Sequence, residues 1–523
     1  MINCIRYFSN YLISLGTSFK FNKQTEKYIM STNRRSFLKN IGLGAGVVAT
    51  TPLMAIASQT EKEKLKEIRK SAEHIPAMSF NMCGYAAPKL DKVRVGFVGI
   101  GDRGSGAVER MTYIEGVEIV ALCDIRQAAV DGGQATLAKA GLPKAKEFVG
   151  SDLTFKNLCN SGLCDLVYTA TPWEWHVPVA LAAMEGGCHT AVEVSTAKTM
   201  DECWAIVETS ERTKKHCVIL ENCCYDFFEL LTLNMVRQGA FGDLIHGEGA
   251  YIHNLDYWHF NKPKDDKMSD GAYTKMWRLH ENKRKANVYP THGLGPICQA
   301  MNINRGDKMD YLTAMMGNDF TLKQRIAEKA KEDPFFEQFV GWVMRGNMDM
   351  QMIRTNKGRT IMIQHDISSP RPYSRIHLLS GTKAFAQKYP LEQIAFGHDV
   401  VDEAGMKELQ EKYQPEIVKR MGEMAKQVGG HGGMDFMMDW RMIDCLRNGL
   451  PMDMDAYDAA TWSSITPLSE WSIANGSAPI EIPDFTRGKW QTNKPVDITL
   501  NGGGTTQVRN LKDADGKGQL NVK

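Results

Sequence analysis

Short runs of β-branched and aromatic residues alternate with amphipathic stretches through the first half of the chain. Residues 93–98 form one such run, followed by a helix-period stretch over 105–114 and a strand over 117–123. Strand, helix, strand, helix and strand then follow over 165–169, 177–185, 189–194, 200–213 and 217–220. Strands separated by helical stretches predict a parallel, doubly wound sheet, because each parallel crossover needs a covering helix. From Tyr225 the pattern changes. Longer alternating runs appear at 244–255, 348–355 and 359–367, and the last two flank Asn356-Lys357-Gly358, which reads as a hairpin turn. Amphipathic helices are expected over 403–428 and 435–448. The fold class expected is α/β: an N-terminal Rossmann doubly wound parallel sheet plus a C-terminal α+β domain with a mostly antiparallel sheet.

The first ninety residues stand apart. Arg34-Arg35-Ser36-Phe37-Leu38-Lys39 precedes a Gly/Ala-rich apolar segment over 41–57 that ends in Ala55-Ile56-Ala57. This is the order of a twin-arginine export signal, with a small-residue cleavage site and an apolar part too short and weak for a stable membrane span. A periplasmic destination is expected. Residues 1–29 precede Met30, and an early start codon is one expected reason for them. The expected divisions are 1–57 for the signal region, 58–90 for a linker, 91–222 for the nucleotide domain, 223–490 for the substrate domain and 491–523 for a tail, with ordered structure beginning near Lys89.

Charge and cysteine usage narrow the partners. Among 523 residues, 63 Lys+Arg against 61 Asp+Glu leave a net charge of +2, which makes no electrostatic case for nucleic acid. The 12 cysteines show no C-x-x-C spacing, and most sit in apolar runs, as buried thiols do.

Chemistry concentrates at the ends of the expected strands. Gly99-Ile100-Gly101-Asp102-Arg103-Gly104 is G-x-G-x-x-G between a strand and a helix: the first glycine makes the turn, the second admits a pyrophosphate and the third lets helix and strand pack closely. Asp124 closes the second strand, where a carboxylate bonds ribose hydroxyls. That favours NAD, while neighbouring Arg126 keeps NADP open. The later strand ends carry Thr171-Pro172-Trp173-Glu174-Trp175-His176, Glu193-Val194 and Glu221-Asn222. In the second half, Tyr251, Arg278, the proline-fixed turn Tyr289-Pro290-Thr291-His292, and Tyr373 supply aromatic faces and polar groups that suit a sugar. His431, Asp435 and Asp439 fall at i, i+4 and i+8, but the surrounding glycines favour a loop, and no metal site is expected.

Together these words resemble the Gfo/Idh/MocA oxidoreductases and, within them, glycoside hydrolase family 109, the NAD-dependent α-N-acetylgalactosaminidases. Gly101-Asp102-Arg103-Gly104, Glu221-Asn222-Cys223 and His431-Gly432-Gly433-Met434-Asp435 carry the closer match, and Trp173-Glu174-Trp175-His176 and Tyr289-Pro290-Thr291-His292 are its more specific words. The resemblance implies NAD held by Gly99, Gly101, Asp102, Arg103, Gly104, Asp124, Trp173, Glu174, Trp175, His176, Glu193, Val194, Asn222 and Tyr289. It implies a sugar gripped by Tyr251, Arg278, Tyr289, Pro290, Thr291, His292 and Tyr373. It also implies oxidation at C3, elimination of the C1 substituent, water addition and re-reduction, with the NAD recycled. His292 and Tyr289 are the residues expected to move protons. Sugar dehydrogenases of the superfamily carry Glu-Lys-Pro at the strand end; Val194 and Ser195 stand there instead, which removes their proton-transferring lysine. A periplasmic NAD(P)-dependent sugar dehydrogenase and a non-catalytic sugar-binding protein stay open as alternatives. A small-molecule or glycan substrate is expected, with neither a nucleic acid partner nor a stable membrane span, and homo-oligomerisation through the open sheet is left open.

Overall fold

The computed structural model describes residues 50–261 and 276–509, with side chains from residue 60. The twin-arginine stretch, most of its apolar run and the end of the tail lie outside the described residues. Helix α1 (Thr50–Glu73) runs through the stretch read as a linker. Its Ile68 and Ala72, one turn apart, are buried, and Trp204 Nε1 donates to the Ser71 carbonyl at 3.2 Å. Packing therefore begins well before Lys89, because one face of this charged helix is apolar.

Six strands form the first sheet: β1 (Val93–Val98), β2 (Val117–Asp124), β3 (Lys146–Val149), β4 (Leu166–Thr169), β5 (His189–Val192) and β6 (Cys217–Ile219). All pair in parallel, in the order β3-β2-β1-β4-β5-β6. In β1 only Arg94 is exposed, since helices cover both faces of such a sheet. The crossovers are α2 (Asp102–Thr112), α3 (Gln127–Lys139), α4 (Phe155–Cys159), α5 (Trp173–Glu185) and α6 (Met200–Thr213). A capping box starts α6: Thr199 Oγ1 accepts the Glu202 amide at 3.2 Å, and the Glu202 carboxylate accepts the Thr199 amide at 3.1 Å.

After α7 (Phe227–Arg237), nine strands build the second sheet: β7 (Leu244–Ile252), β8 (Met309–Met316), β9 (Asp349–Thr355), β10 (Thr360–Asp366), β11 (Leu378–Gly381), β12 (Ala384–Gln387), β13 (Gln393–Phe396), β14 (Asp399–Val400) and β15 (Ile480–Glu481). Its order is β14-β13-β12-β11-β7-β10-β9-β8-β15, antiparallel except where β10 runs parallel to β7. The β9–β10 hairpin turns at Asn356-Lys357-Gly358 as expected.

Two local expectations are corrected. Residues 403–428 are two helices, α9 (Glu403–Tyr413) and α10 (Glu416–Val428), because Pro415 drives Gln414 into an extended conformation. The segment from Tyr289 to His292 is no turn: Pro290 caps α8 (Thr291–Ala300), which places His292 in its first turn. α8 packs on β7, and α11 (Met434–Asn448) packs on α2. Among the described residues no helix is long and apolar enough to cross a membrane. Eleven described cysteines are free thiols, all buried but Cys83, which is half-buried.

Candidate active site

A cavity of about 810 Å³ opens at the carboxyl ends of the first sheet's strands. One end is walled by Asp124 and Arg126, the middle by Gly99, Gly101, Asp102 and Arg103, and the far end by Tyr251, Arg278, Tyr289 and His292. Doubly wound sheets bind ligands at this edge.

The glycine turn is shaped for a dinucleotide. Gly99 has φ +78°, and a Cβ at Gly104 would lie 2.0 Å from the Gly99 carbonyl oxygen, so the third glycine is what lets α2 close on β1. A Cβ at Gly101 would meet only the mobile end of Arg126, leaving backbone open to a phosphate at the α2 N-terminus. Asp124 is oriented by the Ile100 amide at 3.0 Å and the Arg126 amide at 2.9 Å. The residues present fit the cofactor class.

Trp173, Trp175, His176, Glu193, Val194 and Asn222 all line the same cavity. Trp173 Nε1 donates to the Val194 carbonyl at 2.9 Å, and its ring stacks on Tyr289 with centroids 5.5 Å apart. His176 is buried between two carbonyls, those of Ser195 at 2.8 Å and Thr171 at 2.9 Å; burial holds it below the ordinary histidine range. It fixes the loops that wall the cavity. Glu193 accepts from Arg103 Nε at 2.7 Å.

At the far end three residues from two segments form a chain of hydrogen bonds. His292 Nδ1–H donates to Glu221 Oε1 at 2.7 Å, and Tyr289 Oη donates to His292 Nε2 at 3.1 Å. Burial alone would raise the Glu221 carboxyl, but the charge and hydrogen bond of His292 outweigh it and hold it below its usual range. Burial pushes Tyr289 well above the usual phenol, and the Arg278 charge pulls it back. The Arg278 guanidinium lies 5.0 to 5.4 Å from the ring centres of Trp173, Trp258, Trp277 and Tyr289, a cage of aromatic faces at cation–π distance. Tyr251 Oη bonds His253 Nδ1 at 3.1 Å, and burial pushes this phenol up to about 12.

Not every expected residue reaches the cavity. Glu174 is exposed on α5, Thr291 is buried as the first residue of α8, and Pro290 serves as that helix's cap. Tyr373 stands edge-on to His253, 5.0 Å between ring centres, outside the cavity lining. Glu221 was legible only as part of a polar strand end; its bond to His292 spans 71 residues and has no local signature. Glu221, Cys223 and His292 bring possible metal ligands within 4.8 Å of one another. Glu221 is committed to His292, however, and Arg375 Nη1 lies 2.9 Å from Cys223 Sγ with a charge that opposes a cation. Asp435 and Asp439 are likewise spent on arginines, Arg103 at 2.6 Å and Arg110 at 2.8 Å.

Residues 93–221 match the oxidoreductase family model for an NAD-binding Rossmann fold (Gfo/Idh/MocA), and 225–492 match the glycosyl hydrolase 109 C-terminal domain. A glycosyl hydrolase family 109 protein from Bacteroides fragilis is 44% identical over 465 residues, 84% of this chain and 96% of that protein. One from Porphyromonas gingivalis is 47% identical over 426 residues, 78% of this chain and 87% of its own length. Among solved structures, levoglucosan dehydrogenase in complex with NADH and levoglucosan superposes with a TM-score of 0.54 at 14% identity, over 75% of this chain and 100% of that one. The aldose–aldose oxidoreductase of Caulobacter crescentus gives 0.52 at 13%, over 75% and 99%. These two likenesses concern the fold.

Proposed function

The chain belongs to glycosyl hydrolase family 109, and from that premise we propose that it is a glycosidase releasing terminal α-N-acetylgalactosamine, or a closely related sugar, with NAD held and recycled in the cavity. The observation that carries this reading is the Glu221–His292–Tyr289 path opening into the end of a dinucleotide-shaped cavity. When bound, the cofactor supplies a hydride acceptor for C3 of the sugar and returns the hydride at the end of the cycle.

The protein's own part is proton movement and positioning. With Nδ1–H held by Glu221, His292 Nε2 is free to take the Tyr289 proton, which leaves the phenolic oxygen able to accept one from the sugar. Glu221 then stabilises the imidazolium that results. Arg278 favours the phenolate, and Trp173 and Tyr251 provide faces for the ring. Asp124 is the group that selects a free ribose diol, which supports NAD over NADP; its neighbour Arg126 is already turned back on the Asp124 carboxylate at 3.3 Å.

We further infer export by the twin-arginine route from Arg34-Arg35 and the apolar run that follows. Export after folding suits a protein that loads its cofactor in the cytoplasm and buries its thiols. Replacing both arginines by lysine should leave the protein in the cytoplasmic fraction of the cell.

The test of the activity uses purified protein, no added NAD, and nitrophenyl glycosides of several sugars. Nitrophenol release from the α-N-acetylgalactosaminide is expected, with an isotope effect or loss of label when C2 carries deuterium. Full retention of the label with no isotope effect would mean ordinary hydrolysis, and net accumulation of a keto-sugar would mean a dehydrogenase.

A further inference from the structure

The middle of the cavity is closed by a segment from the far end of the chain. Any dinucleotide lying between Asp124 and Tyr289 must pass the N-terminus of α2, and there Gly430 and His431 form part of the wall. They belong to the loop Gly429-Gly430-His431-Gly432-Gly433, whose five residues all have positive φ: 89, 84, 48, 76 and 110°.

Two glycines in this loop are sterically required. A Cβ at Gly430 would lie 2.7 Å from the Asp435 Cβ, and one at Gly433 would lie 2.7 Å from the Ala425 backbone. Position 431 is different. Its left-handed backbone favours glycine, yet the chain keeps a histidine there, a strained choice that points to use of the side chain. The side chain is 57% exposed; its Nδ1 lies 2.9 Å from Asp435 Oδ2 and 3.2 Å from Arg103 Nη1, and among the described residues no hydrogen bond reaches Nε2.

Asp435 is the hub that fixes this arrangement. Its carboxylate accepts from Arg103 Nη1 at 2.6 Å and from Asn222 Nδ2 at 2.5 Å as well as from His431, while Arg103 Nε reaches Glu193 at 2.7 Å. Burial would raise this carboxyl, but the His431 bond and the Arg103 and Arg110 charges hold it well below the usual range. It is therefore an anion that orients both Arg103 and His431.

We propose that His431 binds the pyrophosphate of the cofactor, with Asp435 as its positioning residue, so that the glycine loop and Arg103 form a clasp that sets how slowly the dinucleotide leaves. Nε2–H donates to a phosphate oxygen while Nδ1 stays against Asp435 and Arg103. The clasp rests on the dinucleotide reading above and extends it to retention, the property a cofactor recycled in place requires.

The test is exchange of bound dinucleotide against a fluorescent etheno-NAD, with the thermal midpoint of the cofactor-stripped protein as control. His431→Ala should release dinucleotide about tenfold faster or more, the worth of one charge-assisted hydrogen bond, at an unchanged stripped midpoint. His431→Gln, whose amide can still donate, should recover part of the loss. Asp435→Asn should speed exchange as well. Exchange from His431→Ala within about twofold of the parent would overturn the clasp. So would acceleration that appears only alongside a lowered stripped midpoint, since that marks a structural role. A parent protein that holds no dinucleotide would instead sink the functional reading itself.

Discussion

His292 owes its chemistry to a residue 71 positions away. An isolated histidine at a helix start has two interchangeable tautomers; Glu221 selects the one with Nδ1 protonated and leaves Nε2 facing Tyr289. His292→Ala should lower turnover by about 10²–10⁴-fold, the range for a positioned proton-transfer group, while the purified protein keeps its dinucleotide. Glu221→Gln keeps the shape but not the charge, and about 10- to 100-fold is expected from turnover, less than for loss of the ring itself. Nitrophenol release and the absorbance of extracted cofactor check both. Parental turnover in Glu221→Gln would show that the carboxylate is a bystander. Tyr251 bonds His253 and not His292, so it stands outside the Glu221–His292–Tyr289 path.

The elements that carry these residues meet at a contact between two glycines. A Cβ on Gly249 of β7 would lie 2.1 Å from the Gly293 carbonyl oxygen of α8, and that closeness brings His292 and Tyr289 beside Tyr251, whose ring centre is 4.6 Å from that of Tyr289. Gly249→Ala must push α8 outward. About 1–3 kcal/mol of stability should go, as in other overpacked cores, and kcat should fall more than KM rises. Urea unfolding and steady-state kinetics measure the two, and a parental kcat would show that α8 position is not critical. Five strands of the first sheet were legible because buried parallel strands read as apolar, β-branched runs; the edge strand β3 was not, since Phe148 is its one buried residue. The glycine turn after β1 was legible because its spacing has one structural meaning. The β9–β10 hairpin was legible as a period but not as a side: in β9 Asp349, Gln351 and Thr355 face inward beside Ile353 while Met350 and Met352 face out, since Arg345 and Asn287 pair with the inward polar groups. Pattern alone places the hydrophobic set inside, and here the hydrogen bonds decide otherwise.

Over the whole molecule, what escaped the sequence is what joins distant segments. Arg103 meets Asp435 across 332 positions and Arg110 meets Asp439 across 329, so the two aspartates of the i, i+4, i+8 pattern are the acidic side of an inter-segment ion network. The same scale governs the response to pH. His216, His259 and His377 are buried, and burial together with neighbouring cations lowers them to about 4, 3 and 3. Each has a pKa of about 6.5 when unfolded, so below that pH the unfolded chain takes up protons the folded one refuses. The stability they contribute is complete above about pH 6.5 and drains as the pH falls toward 4 and then 3, by about 2 kcal/mol per group at pH 5. Glu229, raised to about 7, and Asp439, raised to about 6, act in the opposite sense, because protonating them favours the folded state as the pH drops. The total slope is thus a difference, and a single histidine must be isolated to see it. His377, which bonds Thr232 Oγ1 at 2.9 Å and lies near the Arg375 and Lys388 charges, is the choice. His377→Gln cannot titrate, so its deficit in urea stability relative to the parent should shrink by about 2 kcal/mol between pH 7.5 and pH 5. A deficit that stays constant over that range would mean that His377 gains its proton without unfolding, and that the burial seen around it does not control its charge.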